Sequence, residues 1–205
     1  MAMSSILDSM SKYQALKQEV GDVCIVVASK YMSIDEVLAL YNEGARDFGE
    51  NRSDELLYKI KHSPKDITWH FIGSLQSNKV KSMINEITYL HSLDRLSLAK
   101  EIQKHRKKPL KCFIQLNITK EPQKGGIFLE NLKEFMDSLT KYDKIKVVGF
   151  MAMGVLDDLE KTKVVFKTLQ SLKSNYQLSM GMSNDYSLAL QYQTDFIRIG
   201  SLLKE

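Results

Sequence analysis

Val23-Cys24-Ile25-Val26-Val27-Ala28-Ser29-Lys30 is the stretch from which the fold is read. Its first six residues are apolar and mostly β-branched, so no face is left for water and the segment suits a strand covered on both sides. Strands of that kind belong to parallel sheets flanked by helices. Ser29 and Lys30 then stand at the carboxyl end of the strand.

Working outward, apolar runs and helical patterns take turns. Upstream, Ser4 to Gln18 places Ile6, Leu7, Met10, Tyr13 and Leu16 on one helical face, with Ser4 or Ser5 as a cap. Downstream, Ser33 to Glu43 is a capped helix with Asp35 and Glu36 in its first turn, followed by Gly44 and a short run through Phe48. Further strands are predicted at Ile67 to Ile72, Ile87 to Leu90, Leu110 to Ile118, Lys144 to Phe150, Gln177 to Met180 and Phe196 to Ile199. Between them lie amphipathic segments at Asp54 to Lys61, Ser77 to Ile84, Arg95 to His105, Leu129 to Lys141, Glu160 to Ser174 and Asp185 to Gln193. Eight strands alternating with helices predict an α/β fold, a single parallel (β/α)8 barrel with an N-terminal helix; an open doubly wound sheet is the competitor. No repeat or proline-rich linker breaks the chain, so residues 1–205 are expected to form one domain.

The composition narrows the function classes. With 205 residues the chain lies near the lower limit of about 200 for such a barrel, and a second full domain has no room. Net charge is +4, from 29 basic and 25 acidic residues, which argues against a nucleic-acid surface. The basic cluster Lys104, Arg106, Lys107, Lys108 and Lys111 reads as a solvated helix end. The two cysteines, Cys24 and Cys112, sit in apolar runs without metal-ligand spacing and read as reduced core thiols. No basic, then apolar leader opens the chain and no window holds about 18 consecutive apolar residues, so a cytoplasmic protein without membrane attachment is expected.

In a β/α barrel, functional groups project from the carboxyl ends of the strands. Lys30 is so placed. An ammonium desolvated there has a lowered pKa, and the neutral amine can attack an aldehyde; the alternative is a lysine that opens a loop with its head in water. The segment Ser179-Met180-Gly181-Met182-Ser183-Asn184-Asp185 supplies a glycine, a hydroxyl and backbone N–H groups suited to a phosphate, or equally an ordinary helix cap. Gly200 and Ser201 follow the eighth strand, beside that segment, where barrels commonly hold phosphate. Arg198 alternates with Ile197 and Ile199, and facing the barrel interior it would be a buried cation in need of a partner. Other rim candidates are Glu50, Asn51, His70, Ile72, Gly73, Gln76, Asn78, Met151 and Met153, with His70 equally suited to a core role and the methionines to packing. A Ser-His-Asp order, a metal-ligand cluster, a Walker loop and GxGxxG are all missing, which weighs against hydrolase, metalloenzyme and dinucleotide chemistry.

Taken in order, seven segments resemble those of the pyridoxal phosphate homeostasis proteins, the YggS or PROSC family, relatives of the alanine racemase barrel domain. The segments are Val27-Ala28-Ser29-Lys30, Phe48-Gly49-Glu50-Asn51, Trp69-His70-Phe71-Ile72-Gly73, Leu75-Gln76-Ser77-Asn78-Lys79, Gly149-Phe150-Met151-Ala152-Met153, Ser179-Met180-Gly181-Met182-Ser183 and Arg198-Ile199-Gly200. The resemblance runs from about Val23 to Ser201. It implies an alanine racemase-like TIM barrel, PLP fold type III, that binds pyridoxal 5′-phosphate (PLP) as a Schiff base on Lys30. Ser183, Gly200 and Ser201 would hold the phosphate, Arg198 would face the pyridine nitrogen, and Asn51, His70 and Met182 would line the ring pocket. An arginine cannot give up its proton, so it leaves that nitrogen unprotonated and weakens the cofactor as an electron sink.

The implied function is intracellular PLP (vitamin B6) homeostasis without a dedicated catalytic cycle, hence no catalytic residue and no metal. The alternative is a weak PLP-dependent amino-acid racemase, although the chain is expected to lack the β domain that carries the racemase's catalytic tyrosine. Implied partners are PLP and PLP-dependent apo-enzymes, with the chain as a monomer. Arg52 and Asp54 stand where the family often carries an aromatic and a glutamine, so the outer pocket is expected to differ.

Overall fold

The computed structural model describes residues 10–204. Eight strands are hydrogen-bonded in sequence order into a closed barrel: β1 (Cys24–Ala28), β2 (Asp47–Glu50), β3 (Thr68–Phe71), β4 (Tyr89–Leu93), β5 (Leu110–Gln115), β6 (Ile145–Met151), β7 (Gln177–Met182) and β8 (Phe196–Ile199). All pairs are parallel, and β8 returns to β1 with Cys24 opposite Phe196 and Val27 opposite Ile199. Closure excludes the doubly wound sheet. The helices are α1 (Lys12–Val20), α2 (Ile34–Asn42), α3 (Ser53–Lys61), α4 (Val80–Met83), α5 (Leu96–His105), α6 (Leu132–Leu139), α7 (Leu159–Ser171) and α8 (Tyr186–Gln191).

The uninterrupted apolar runs follow from burial on both faces. On β1, Ile25 and Val27 pack outward with Val37, Leu40 and Leu56 of the helices, whereas Val26 packs inward with Phe113, Met151 and Phe196. Apart from the partly exposed end residues Cys24 and Ala28, both sets of alternate residues are buried, so no polar positions interrupt the strand.

Several boundaries differ from those expected. Ser11 caps α1 through a capping box with Gln14; the cap expected at Ser4 or Ser5, with Ile6 and Leu7, lies outside the described residues. The segments from Ser77 and Leu129 open as 3-10 turns, Ser77–Lys79 and Leu129–Asn131, before α4 and α6. Neither start has a side-chain cap, and tighter i→i+3 turns take its place. β4 continues through His91 and Ser92 to Leu93, because these polar residues are themselves buried. β5 ends at Gln115, beyond which Leu116 makes only an isolated bridge to Ile127. β7 runs on to Met182 through Gly181, whose φ of +97° suits glycine.

Both cysteines are thiols. Cys112 is fully buried, and burial pushes its pKa up; burial and then the Asp47 carboxylate push Cys24 up to about 12. Thiolate, the reactive form, is therefore scarce at neutral pH. Ellman's reagent at pH 8 should label neither thiol in the native protein and both in denaturant; rapid native labelling would contradict this packing. Among the described residues no helix is long and apolar enough to cross a membrane, and no cluster of His, Cys, Asp or Glu could hold a metal ion.

Candidate functional site

Lys30 stands at the barrel mouth. The ladder of β1 extends one residue, since Ser29 N–H donates to the Gly49 carbonyl, and the Ser29 side chain turns outward beneath α3. Lys30 follows in the turn after β1, at the carboxyl end of the strand. Its side chain is exposed, with Nζ 5.2 Å from the centroid of the Tyr31 ring. The desolvation expected from the sequence is therefore absent, because the loops leave the end of β1 open. Tyr31 is itself 81% exposed and has a φ of +65°.

Beside β1 on the same mouth, the loops after β7 and β8 meet at one hydroxyl. Ser183 Oγ accepts from the backbone N–H groups of Gly200 and Leu202, both at 3.3 Å. A Cβ on Gly200 would lie 3.2 Å from the Ala28 carbonyl oxygen, so glycine keeps the loop close to β1. Ser201 is exposed and opens a 3-10 turn, Ser201–Leu203, while Met182 is partly exposed. Asp185 takes the Met182 N–H at 2.6 Å and leaves the Gly200 and Leu202 amides to Ser183.

Beneath the mouth, Arg198 faces the interior. Its NH1 donates to Ser179 Oγ at 2.6 Å and its NH2 to the Ala152 carbonyl at 3.2 Å. Burial lowers its pKa to about 10, opposed by Asp185, so it stays charged near pH 7. Ser179 Oγ also contacts His91 Nδ1 (2.8 Å), His91 Nε2 contacts His70 Nδ1 (2.9 Å), and His70 Nε2 contacts Asp47 Oδ1 (2.9 Å). His70 is thus wholly buried with both ring nitrogens bonded, and it meets Arg198 only through His91 and Ser179. It does not itself line an open pocket.

A second buried polar group lies behind Lys30. Glu50 Oε1 accepts from Lys59 Nζ (2.5 Å) and Ser29 Oγ (2.7 Å), and Lys59 Nζ also donates to the Ser29 carbonyl (2.7 Å). Glu50 Oε2 and Asn51 Oδ1 are buried without a hydrogen-bond partner among the described residues. Asn51 lines a side cavity of about 340 Å³ with Arg52, Asp54, Ser74, Gln76 and Lys79, which does not reach Lys30, Ser183 or Arg198.

Asp47, Lys59 and His91 are not among the sequence-derived candidates, and Ser179 is there only as the first residue of the phosphate segment, not as a partner of Arg198. His91 carried a usable signal: it is in phase with Tyr89, and extending the fourth strand past Leu90 would have turned it inward with that residue.

The model of the alanine racemase N-terminal domain family matches residues 9–204. A curated pyridoxal phosphate homeostasis protein of Aquifex aeolicus is 37% identical over 199 residues, covering 89% of this chain and 87% of the relative. The chain belongs to the pyridoxal phosphate homeostasis family. Another member, from Schizosaccharomyces pombe, is 33% identical over 195 residues, with coverages of 88% and 82%. Among solved structures, PipY of Synechococcus elongatus PCC7942 with PLP bound aligns at a TM-score of 0.80 and 25% identity, covering 98% of this chain and 97% of that one. Alanine racemase of Corynebacterium glutamicum aligns at 0.76 with 12% identity over 58% of its length, a likeness of fold that extends the homeostasis family's barrel to a larger enzyme.

Proposed function

We propose that this member of the homeostasis family binds PLP as a Schiff base on Lys30 and serves the intracellular PLP pool, without a dedicated catalytic cycle. One observation carries the proposal: an exposed amine follows β1 at the carboxyl end of the barrel, where the adjoining loops after β7 and β8 gather two backbone N–H groups and a hydroxyl. The residues fit the cofactor. Ser183 retains its hydroxyl hydrogen, and a phosphate that displaced the two 3.3 Å contacts to Ser183 Oγ would take the Gly200 and Leu202 amides as further donors. Ser201, exposed on the adjacent turn, adds a hydroxyl within the same pair of loops. Arg198 has five N–H donors and satisfies two acceptors among the described residues, which leaves donors for a ring nitrogen. Met182 would flank the ring, with His70 one layer below; Asn51, expected in the ring pocket, lines the side cavity instead.

Bound PLP supplies an electron sink to the extent that its ring nitrogen is protonated, and a guanidinium there is a donor only. Arg198 so placed favours holding the cofactor over stabilising a carbanion. The names of the curated relatives and the PLP held by PipY support this reading. On the same reading residues 1–205 act as one domain, a cytoplasmic monomer, and PLP-dependent apo-enzymes are the recipients.

Borohydride reduction of protein mixed with PLP, followed by intact mass and peptide mapping, tests the proposal. One PLP equivalent on Lys30 is expected. A label on another lysine, or none, would overturn it. Because Tyr31 stands beside Lys30, amino-acid racemisation is the competing activity: sustained racemisation that Lys30→Ala abolishes would replace the carrier reading.

A further inference from the structure

We infer that Asp47, His70, His91 and Ser179 form a hydrogen-bond chain of one fixed direction that positions Arg198 from the opposite mouth of the barrel. Asp47 is the first residue of β2 and is partly exposed at the amino-terminal mouth, whereas Arg198 lies near the carboxyl end of β8. The four links between them measure 2.9, 2.9, 2.8 and 2.6 Å and cross the interior through β3, β4 and β7.

The direction follows from the chemistry of the two ends. A carboxylate only accepts, so His70 Nε2 carries the hydrogen. A neutral imidazole has one N–H, so His70 Nδ1 is bare and takes the hydrogen of His91 Nε2. His91 Nδ1 is then bare and takes the Ser179 hydroxyl hydrogen. That leaves Ser179 Oγ with lone pairs for Arg198, which only donates. Reversing the chain would aim the Ser179 hydroxyl hydrogen at the guanidinium, donor against donor. Each of the four residues is thereby locked in one orientation, and the last of them holds Arg198.

The surroundings keep both rings neutral and without other partners. Burial lowers the pKa of both histidines; the Asp47 contact opposes this for His70, with Lys111 nearby, while His70 and Arg198 lower His91 further. Tyr89 stacks on His70 at 4.6 Å, Phe113 stacks on His91 at 4.5 Å, and Phe196 meets His91 edge-on at 5.9 Å. These aromatic faces close the interior around the chain.

The effect on PLP rests on the function proposed above, whereas the chain itself can be read without cofactor. In ¹⁵N-labelled protein free of PLP, NMR should show His70 and His91 as neutral Nε2–H tautomers near pH 7. An Nδ1–H tautomer or an imidazolium at either ring would overturn the inference. Asp47→Leu removes the first acceptor, and the apparent affinity for PLP, followed by absorbance, should fall about tenfold with both histidine signals displaced. Asp47→Asn keeps an acceptor oxygen in place and should restore both readouts to within about twofold. Ser179→Ala, which cuts the last link, should weaken PLP binding at least as much and serves if Asp47→Leu does not fold. Unchanged PLP affinity in a folded Asp47→Leu or Ser179→Ala protein would also overturn the inference. If the wild-type protein takes no PLP on Lys30, the proposed function fails, while the tautomers still decide whether the chain exists.

Discussion

Replacing Lys59 with methionine is expected to destabilise the barrel by about 3–5 kcal/mol, the usual consequence of stranding one charge of a buried pair. Lys59 is 2% exposed and Glu50 is 0% exposed. Among the described residues the carboxylate of the variant keeps only the Ser29 hydroxyl, because its second oxygen has no partner there. Equilibrium denaturation measures the loss. The double variant Glu50→Leu/Lys59→Met should recover most of it, since an apolar pair of similar volume removes both desolvation penalties. A Lys59→Met protein as stable as the wild type would show that the pair is not a structural clamp.

Gly149→Ala should cost more than about 3 kcal/mol, near or beyond the usual ceiling for overpacking. A Cβ there would lie 1.9 Å from the Gln177 carbonyl oxygen and 2.6 Å from its carbonyl carbon. Those are backbone atoms of the neighbouring strand, so rotamer changes cannot relieve the contact; β6 and β7 would have to part at the pair Gly149 and Gln177. For a chain of this size the melting temperature should drop by roughly 6–12 °C. Ser179 lies two residues further along β7, so separation of the strands should also disturb the contact with Arg198. A melting temperature within about 2 °C of the wild type would mean that the strands already have slack at this point.

The fold was legible because covering on both faces writes itself into composition: β8 was found residue for residue, and β1 to within one residue. Boundaries slipped where polar residues were buried by distant partners. His91 and Ser92 resemble the end of a strand until Ser179, 88 positions away from His91, is known to face it. Lys59 reads as an ordinary solvated cation on α3, and only the fold brings Glu50 beneath it. The phases of Arg198 and His70 were readable from alternation. The exposure of Lys30 was not, since loop shape decides it. Candidate residues that act alone at a strand end were therefore visible, and those that act in pairs across the barrel were not.

The contacts of Ser29 bear on how the mouth would receive a covalent ligand. Its hydroxyl, N–H and carbonyl are all engaged, by Glu50, Gly49 and Lys59 respectively, so the peptide unit leading into Lys30 is already immobile. Only the rotatable bonds of the lysine stem remain free. Arresting them costs about 2 kcal/mol of conformational entropy at most, a small sum beside that of ordering a loop. The rest of the ordering is completed when the chain folds, which makes the amine a preorganised attachment point on a rigid frame.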